Sequence, residues 1–318
     1  MPRSVFYQPA SADPDTDPWT RARGVPPFDV TGLTNGTEYR FDDGQQVFVR
    51  TPAAAPAFDP DPDAAAYITA GETVQGSSLH PAIAAAVHEF VAGCKEDESQ
   101  REGVSNWDAL GFALLMAGWS DMSAALISLK GPAVTNNGFV QSDYDPVTGL
   151  KGDGISKSID TNYPGNSNLT WRAHLAVYVT EHHTPPNTSS AYMGNGVGSE
   201  FGNSQIVFIG GENIIRVRIN GDSAQRSDFP GANTVTGFMC FSRRDGNDIQ
   251  AVVDGQVSTV SNFARTPLSE NIQVFSRTPS SPNYANARLA FASTGLDVDG
   301  VALGQRVEAL MSAIAGAL

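Results

Sequence analysis

Cysteine is nearly missing from this chain, which has two in 318 residues, Cys94 and Cys240. Neither lies in a C-x-x-C pair or at a spacing typical of metal ligands, so neither a zinc site nor a disulfide-stapled scaffold is predicted. We expect two buried thiols in a protein made in a reducing compartment. A Cys94–Cys240 bridge is the less favoured alternative.

Long apolar runs are missing as well. No stretch of about 18 apolar residues occurs in the sequence, so no membrane-spanning segment is predicted. The N-terminal sequence M-P-R-S-V-F-Y-Q-P-A lacks the charged start and the apolar core of a signal peptide. Together these observations predict a protein that is made in the cytoplasm and stays soluble.

Basic residues are sparse. Lysine and arginine number 20 against 34 aspartates and glutamates, which gives a formal net charge of -14. A negative surface repels the phosphates of nucleic acids and of anionic lipids, so neither is expected as a main ligand. The 31 glycines and 20 prolines indicate a turn-rich fold, and the 41% hydrophobic content is enough for a packed core.

The common catalytic and cofactor motifs are not found either. The sequence contains no G-x-S-x-G, H-E-x-x-H, P-loop or G-x-G-x-x-G dinucleotide pattern, so no cofactor is predicted. Glycoside hydrolysis needs an acid and a base on either side of one bond, and no motif nominates such a pair. The adjacent His182 and His183 would point to opposite faces of a strand and would need metal ligands from elsewhere.

The first 64 residues differ in composition from the rest. Prolines and aspartates crowd residues 1–30, which predicts an extended arm without regular helix. A β-hairpin is expected from Val30 to Val49, folded onto its own chain or docked on another protein. Residues 51–64, T-P-A-A-A-P-A-F-D-P-D-P-D-A, predict a stiff polyproline-like spacer and the main domain boundary.

Three helices are expected within residues 65–132. The first opens at Pro81 and carries an apolar stripe as far as Cys94. The second begins at the capping residues 105–106 and runs to Gly118, and the third extends from about Asp121 to Gly131. A bundle of this size cannot close its own core, so it is expected to pack on the domain that follows.

From residue 133 to 318, short apolar runs alternate with turn clusters, which predicts an antiparallel β-sandwich. Asp254-Gly255 indicates a tight hairpin turn. The alternation I-R-V-R-I at 215–219 predicts arginines in water and aliphatic side chains in the core. An apolar face from Leu303 to Ile314 predicts a C-terminal helix packed on the sandwich. The candidate strands are Leu175–Val179, Gln205–Ile209, Ile214–Ile219, Val235–Phe241, Ile249–Val253, Gln256–Val260, Ile272–Phe275 and Leu289–Ser293.

Residues 143–160, D-Y-D-P-V-T-G-L-K-G-D-G-I-S-K-S-I-D, carry the strongest motif of the chain. They resemble the G-L-x-G-D-G-x-x-K-x-x-D module of bacteriophage virion proteins, which occurs in fibre and spike components with a lectin-like jelly roll. The resemblance continues, in the same order, with F-V-A-G-C-K at 90–95 and R-L-A-F at 288–291, and covers residues 65–318. The matching residues of the motif are Gly149, Leu150, Gly152, Asp153, Gly154, Lys157 and Asp160.

A second, shorter resemblance lies near the N-terminus. The segment V-T-G-L-T-N-G-T-E-Y-R-F at 30–41 is similar to the end of a fibronectin type III domain. The stretch that precedes it is too short for a complete domain of that family. A truncated β unit is therefore expected.

The virion-module resemblance implies a mainly β fold with appended helices, namely a concanavalin A-like jelly-roll sandwich preceded by a small helical region and an extended arm. It also implies a non-enzymatic, adhesive role in the virion of a tailed phage or a gene transfer agent. The expected partners are other virion subunits through residues 1–64, a host surface polysaccharide, and further copies of the chain in a homo-oligomer. A polysaccharide-degrading enzyme and a purely architectural head or baseplate subunit stay open as alternatives.

Aromatic and polar residues in the loops are the candidates for sugar binding. Sugars are held by aromatic planes together with Asn, Asp and His hydrogen bonds, which loops on a rigid sandwich can present. Trp171 stands at the mouth of a strand, which favours a core position for it. The selected residues are Tyr163, Trp171, His182, His183 and Tyr284.

A cluster of carboxylates suggests an alternative role for the 143–160 segment. Asp143, Asp145, Asp153 and Asp160 could supply oxygen ligands to calcium. Asp153-Gly154 is also a natural turn pair, so a structural role is favoured. No metal is therefore assigned.

Overall fold

A computed structural model describes residues 3–9, 20–24, 39–42, 47–50, 61–167, 171–182, 189–196, 201–210, 212, 214–221, 224–230, 236–278 and 283–318. The chain divides into two compact units, Met1–Asp59 and Pro60–Leu318. Among the described residues, no helix is both long and apolar enough to span a membrane.

The described part of the first unit is a four-stranded antiparallel sheet in the order β2-β1-β3-β4. Tyr39 lies opposite Arg50 where β3 and β4 pair, so these strands form a hairpin within the segment predicted for one. β1 and β2 belong to the stretch predicted as an extended arm, and they pair with each other. The strands are β1 Arg3–Pro9, β2 Thr20–Gly24, β3 Tyr39–Asp42 and β4 Val47–Arg50.

Five helices occur among the described residues of the second unit. The first begins with proline at its first position, and the Asp61 carboxylate caps it by accepting from the amide of Asp63 at 2.9 Å. The predicted spacer therefore overlaps this helix, because residues 62–64 are already helical. The helices are α1 Pro62–Gln75, α2 Pro81–Glu96, α3 Asn106–Ala109, α4 Met122–Ala125 and α5 Gly300–Ala317.

The predictions for the second and third helices of the 65–132 region were wrong. Helix α3 ends at Ala109, and residues 110–115 continue as a strand between two neighbouring strands. Helix α4 has only four residues and is followed by another short strand. A run such as L-G-F-A-L-L is apolar throughout, and when both faces are buried its periodicity does not distinguish strand from helix.

The second unit is an antiparallel β-sandwich of two sheets, as predicted. All eight candidate strands are confirmed over the described residues; Val235, predicted as the start of one of them, lies outside those residues. Further short strands occupy residues 110–164, 190–194 and 227–230. The described strands are β5 Leu110–Leu115, β6 Ser128–Lys130, β7 Thr135–Asn137, β8 Tyr144–Asp145, β9 Gly149–Lys151, β10 Ser158–Pro164, β11 Ala173–Glu181, β12 Ser190–Gly194, β13 Asn203–Ile209, β14 Ile214–Gly221, β15 Ser227–Pro230, β16 Gly237–Arg243, β17 Asp248–Val253, β18 Gln256–Ser261, β19 Asn271–Val274 and β20 Arg288–Gly295.

The two sheets differ in how their outer faces are covered. The seven-stranded sheet has the order β15-β14-β13-β12-β19-β10-β7, and the nine-stranded sheet contains β18-β17-β16-β11-β20-β5-β6 with β8 and β9 alongside. Helix α5 packs on β16 of the nine-stranded sheet, where a Cβ on Gly300 would lie 3.2 Å from Sγ of Cys240 and one on Gly304 would lie 2.9 Å from Phe238. Helix α2 packs on the same sheet, with Phe90 and Phe291 in edge contact at 5.9 Å between ring centroids. The expected packing of helices on the sandwich is confirmed.

Both cysteines are buried thiols in this core. Cys94 lies on α2 and Cys240 on β16, and both are 0% exposed. Burial raises the pKa of Cys94 to about 12. Neither thiol is therefore poised as a nucleophile.

The prediction for the alternating segment 215–219 is confirmed only in part. Val217 and Ile219 are fully buried in the core between the sheets, as expected. Arg218 was expected in water, but it is only 6% exposed. The expectation of a solvent-exposed Arg218 was therefore wrong.

The Gly-Asp-Gly turn at residues 152–154 is held against the segment before β20 by backbone hydrogen bonds. The amides of Gly152 and Gly154 donate to the carbonyls of Ala287 and Ala285 at 2.9 and 3.2 Å. The Asp153 carboxylate accepts from the amides of Ile155, Ser156 and Lys157, and these bonds hold its pKa at about 2 against the opposing effect of burial.

The four carboxylates considered for calcium do not converge on one point. Asp143 accepts from Nζ of Lys157 at 2.6 Å through both oxygens and from the amide of Val140 at 2.8 Å, and Asp145 accepts from residues 147–148. Asp160 accepts from Asn162 and Asn271. In the described part of the chain, no group of three or more His, Cys, Asp or Glu side chains could hold a metal ion. The geometry therefore favours the structural role.

The turn generates the first prediction. Gly154 has φ +72°, and a Cβ there would lie 3.0 Å from Cβ of Asn286. We expect Gly154→Val to lower the free energy of unfolding by about 1–3 kcal/mol, because a β-branched residue is strained in the left-handed region. Gly316→Val in the last turn of α5, where no atom lies within 4 Å of the added Cβ, is the control and should change stability by less than about 0.5 kcal/mol. Equal denaturation midpoints for the two variants would contradict the turn assignment.

The boundary between the units generates the second prediction. A chain starting at Pro60 should fold, because it keeps the Asp61 cap of α1 and the contact of Asp61 with Nζ of Lys95 at 2.9 Å. A chain starting at residue 65 loses both, together with the buried Ala64, and should be less stable by about 1–2 kcal/mol. Urea denaturation of the two chains measures the difference. Aggregation of the longer one would show that the first unit is required for folding.

Candidate functional site

The residues selected from the sequence separate to opposite ends of the sandwich. Tyr163 and Trp171 lie at the end where β10 finishes and β11 begins, which we call the strap end. His182 follows β11 and Tyr284 precedes β20, so both lie at the far end. His183 lies outside the described residues. A single site therefore does not contain all of the selected residues.

Tyr163 has a packing role. It is half-buried, and a Cβ built on Gly111 of β5 would lie 2.2 Å from its Oη atom. The ring thus occupies the space over the bare backbone of the neighbouring sheet. Removing this ring would affect the fold before it affected binding.

The far end holds His182 and Tyr284 in different surroundings. Nδ1 of His182 lies 3.0 Å from Oη of the fully buried Tyr192. Its ring also faces Phe208 at 6.3 Å between centroids. Tyr284 is half-buried in the segment that leads to β20. His182 is thus held against the aromatic part of the core.

Trp171 is exposed, so the expectation of a core position was wrong. Its side chain is 59% exposed, and the indole lies against the bare backbone of Gly246, where a Cβ would be 3.5 Å from Cε3. Two more exposed aromatic residues, Phe201 at 66% and Phe263 at 68%, lie at the same end. Three exposed aromatic rings at one end mark a binding surface more strongly than scattered ones would.

A loop that crosses the strap end brings these aromatic residues together. We call residues 262–268 the strap. Its amides donate to loops of both sheets: Ala264 to the carbonyl of Gly246 at 2.8 Å, Arg265 to that of Asn220 at 2.6 Å, and Leu268 to that of Gly202 at 3.2 Å. Phe263 therefore lies beside Gly246, on which the indole of Trp171 packs.

Arg265 of the strap adds a charged contact to the same surface. Its guanidinium lies over the ring of Phe201 at 5.5 Å from the centroid, within the range of a cation–π interaction. Asn220, which accepts from the Arg265 amide, donates its side-chain amide to the carbonyl of Trp171 at 3.4 Å. The two exposed rings are thus linked through hydrogen-bonded backbone.

The buried side chain of Arg243 anchors the strap. It is 0% exposed, and its Nε donates to the carbonyl of Ile219 on β14 at 2.9 Å. Its Nη1 donates to the carbonyls of Asn262 and Gly246. One guanidinium therefore fixes the seven-stranded sheet, the strap and the backbone beneath Trp171 relative to one another.

A polar cleft of about 540 Å3 is lined by Arg172 and Asp245, the chain neighbours of Trp171 and Gly246. Its wall contains both hydrogen-bond donors and acceptors, and Nε2 of Gln100 donates to Oε1 of Gln250 at 2.6 Å. Such a wall can satisfy the hydroxyls of a sugar while a neighbouring ring covers its apolar face. The lining residues are Gln100, Arg172, Arg244, Asp245, Asp248, Gln250 and Thr259.

A buried carboxylate binds Arg172, one of the residues that line this cleft. Asp297 is 0% exposed, and its Oδ2 accepts from Nη1 of Arg172 at 3.3 Å. Burial raises the pKa of Asp297 above its usual value, and its Oδ1 has no hydrogen-bond partner among the described residues. The buried carboxylate thus binds the guanidinium of Arg172, the residue that follows Trp171.

The cleft does not supply an obvious acid and base pair for hydrolysis. Hydrogen bonds from the amides of Asn247 and Asp248 hold the pKa of Asp245 below its usual value, so this carboxylate stays ionised. Asp297 has a raised pKa but is buried, where a substrate cannot reach it. A general acid needs a raised pKa and access to the bond.

The sequence contained a signal for the residues that were not selected. Phe201 follows the glycine-rich stretch G-N-G-V-G-S-E, and Phe263 lies in the polar segment S-N-F-A-R-T-P. An isolated aromatic residue in a turn-rich segment has little apolar surface nearby in which to be buried. That pattern could have identified both, whereas their position beside Trp171 depends on contacts distant in sequence.

No family model matches the chain, and no curated protein matches it. Among solved structures, the binding domain of botulinum neurotoxin DC in complex with rat synaptotagmin II is similar with a TM-score of 0.45 and 12% identity, over 64% of this chain and 52% of that chain. The same domain in complex with SialylT gives 0.46 and 12%, over 65% and 52%. The Ruminococcus gnavus IT-sialidase CBM40 bound to alpha2,3 sialyllactose gives 0.35 and 13%, over 49% and 96%.

The chain spans about half the length of the two neurotoxin structures it matches. With identities of 12–13% and TM-scores below 0.5, these similarities assign neither a family nor a ligand to this protein.

Proposed function

We propose that this protein is a non-enzymatic structural component of a phage or phage-like particle, a spike or fibre whose sandwich binds a host surface polysaccharide at the strap end. The observation that carries the binding part is the exposed indole of Trp171 beside a polar cleft. The virion part rests on the motif at residues 143–160, which resembles a module of phage fibres and spikes.

The physical case for sugar binding is the pairing of flat apolar surface with polar groups. Trp171 and Phe263 offer ring faces on which the C–H face of a pyranose can lie. The cleft offers guanidinium, amide and carboxylate groups for the hydroxyls. Because Arg243 and the strap hold these elements, little conformational entropy is lost when a sugar binds.

A single surface site of this kind binds weakly. An affinity near millimolar corresponds to about -4 kcal/mol, and several copies on one particle gain orders of magnitude through effective concentration. A spike or fibre supplies such copies. We propose that residues 1–59 attach the protein to its neighbours in the particle, which leaves the sandwich for the host.

Two alternatives are distinguished by separate experiments. A polysaccharide-degrading enzyme would release reducing ends continuously when the purified protein is incubated with host capsule, and such release would overturn the non-enzymatic proposal. A purely architectural subunit would leave adsorption unchanged when particles that lack the protein are otherwise intact. Loss of adsorption by those particles is the result expected here.

The third prediction concerns Trp171. On beads that carry many copies of the protein, Trp171→Ala should reduce retention of host surface polysaccharide at least tenfold, equivalent to about 1.4 kcal/mol, because the ring face is removed. Its melting temperature should stay unchanged, since an exposed side chain contributes within about 0.5 kcal/mol to stability.

Ile155→Ala is the matched control. Ile155 is 77% exposed and lies in the turn segment before β10, away from the strap end. We expect this variant to bind as the wild type does. Equal binding by both variants and the wild type would move the binding surface away from the strap end, and no binding by any of them would favour the architectural alternative.

A further inference from the structure

Arg218 is a buried arginine that forms no ion pair with any of the described residues. It lies on β14 between two core residues, so its side chain emerges on the outer face of the seven-stranded sheet, and yet it is 6% exposed. Its Nε is buried and has no hydrogen-bond partner among the described residues. A buried guanidinium normally donates to several acceptors, as that of Arg243 does: Arg243 is 0% exposed and donates to the carbonyls of Ile219 and Asn262. No comparable set of acceptors surrounds Arg218 in the part of the chain that the structure describes.

The charges around Arg218 are mostly of the same sign. Arg216, Arg277 and Arg226 all act on it, and together with burial they hold its pKa down to about 10. The carboxylate of Asp228 is occupied by Arg216, with Nε–Oδ1 at 2.7 Å and Nη2–Oδ2 at 2.9 Å. Asp228 also faces Arg226 at 3.7 Å. This part of the sheet is therefore locally positive on a chain whose net charge is -14.

Polar groups continue from Arg218 across the same face. Arg218 lies opposite Gln205 on β13, Gln205 opposite Gly194 on β12, and Gly194 opposite Gln273 on β19. Gln205 is 0% exposed and Gln273 is 4% exposed. Nη1 of Arg277 donates to Oε1 of Gln205 at 3.4 Å. A second arginine thus reaches the same amide that faces Arg218.

Gly194 leaves bare backbone in the middle of this row. A Cβ there would lie 2.6 Å from Cβ of Gln205 and 2.5 Å from the carbonyl oxygen of Ser204. The space beside Gly194 is already filled by Gln205 and the carbonyl of Ser204, so the row is closely packed at this point. Anion recognition is therefore left to the guanidinium groups at the Arg218 end of the row, which match an oxyanion in charge and in hydrogen-bond donors.

We propose that Arg218, together with Arg277, binds the carboxylate or sulfate group of an acidic sugar, so that the polysaccharide recognised by this protein is an anionic one. This inference rests on the carbohydrate-binding function proposed above and names its substrate class. An anion would supply the partner that the buried guanidinium lacks. Since the chain is acidic overall, general attraction to polyanions is not expected, and such binding has to come from a local site.

The position of Arg218 fits a glycan that also reaches Trp171. Arg218 precedes Asn220 by two residues, about 7 Å along a strand. The side-chain amide of Asn220 donates to the carbonyl of Trp171. Both groups therefore belong to the strap end, and one chain of a few sugars spans them.

The test uses three polymers with one backbone, namely dextran, carboxymethyl dextran and dextran sulfate, each presented to bead-displayed protein at about 0.15 M salt, where long-range attraction is screened. We expect the wild type to retain at least one charged polymer tenfold more than dextran. Arg218→Gln should remove that preference. The two charged polymers distinguish a carboxylate ligand from a sulfate ligand.

Arg226→Gln is the control for net charge. Arg226 is the more exposed arginine, with 47% of its side chain accessible, and its substitution removes the same charge from the same region. It should change the preference by less than twofold. If Arg226→Gln and Arg218→Gln weaken retention equally, the effect is one of overall charge and the proposal fails.

A second measurement separates a ligand site from a structural role. Galacturonate at millimolar concentration should raise the melting temperature of the wild type relative to galactose at equal ionic strength, and Arg218→Gln should lose this shift while remaining folded. A shift that persists in Arg218→Gln would falsify the site.

The two proposals can fail separately. If Trp171→Ala loses all polymers while Arg218→Gln keeps the preference for charged ones, carbohydrate binding stands and the anion site is overturned. If no polymer or host polysaccharide binds but galacturonate still stabilises the wild type through Arg218, the anion site stands and the carbohydrate-binding function is overturned.

Discussion

The buried guanidinium of Arg243 is the interaction on which the strap end of the sandwich depends. A charged group inside a protein is tolerated only when its donors are satisfied, and Arg243 satisfies them with backbone carbonyls from β14, from the strap and from the turn at Gly246. Because these carbonyls belong to segments far apart in sequence, one side chain fixes their relative positions. Trp171 then lies on backbone that cannot move away from it.

The helices determine which surfaces of the sandwich are available for a partner. Helix α5 covers β16 through close contacts at Gly300 and Gly304, and α2 lies on the same sheet through Phe90. The outer face of the nine-stranded sheet is therefore occupied at these positions by apolar packing. The strap end and the arginines around Arg218 lie away from these helix contacts.

The candidate site residues were selected from the sequence by their chemical type, which does not determine their environment. Trp171 was expected in the core, but it is exposed, and its indole lies against the small residue Gly246 of another loop. Tyr163 and His182 have the same chemical character, yet the space over Gly111 and the hydroxyl of Tyr192 hold them in packing roles. Exposure depends on what the rest of the chain places beside a residue, and no local pattern contains that information.

By itself, the sequence determined the elements whose signals are local. Period-two alternation gave strands such as β14 and β17, Asp254-Gly255 gave a hairpin with φ values of 50° and 69°, and capping with an apolar stripe gave α2 and α5. Only the tertiary structure decided that residues 110–115 are a strand, because sheet neighbours on both sides supply its hydrogen bonds. The tertiary structure also decided the surroundings of the buried arginines. Arg243 donates to three backbone carbonyls, whereas Arg218 lies among other arginines, and this difference depends on contacts between segments distant in sequence.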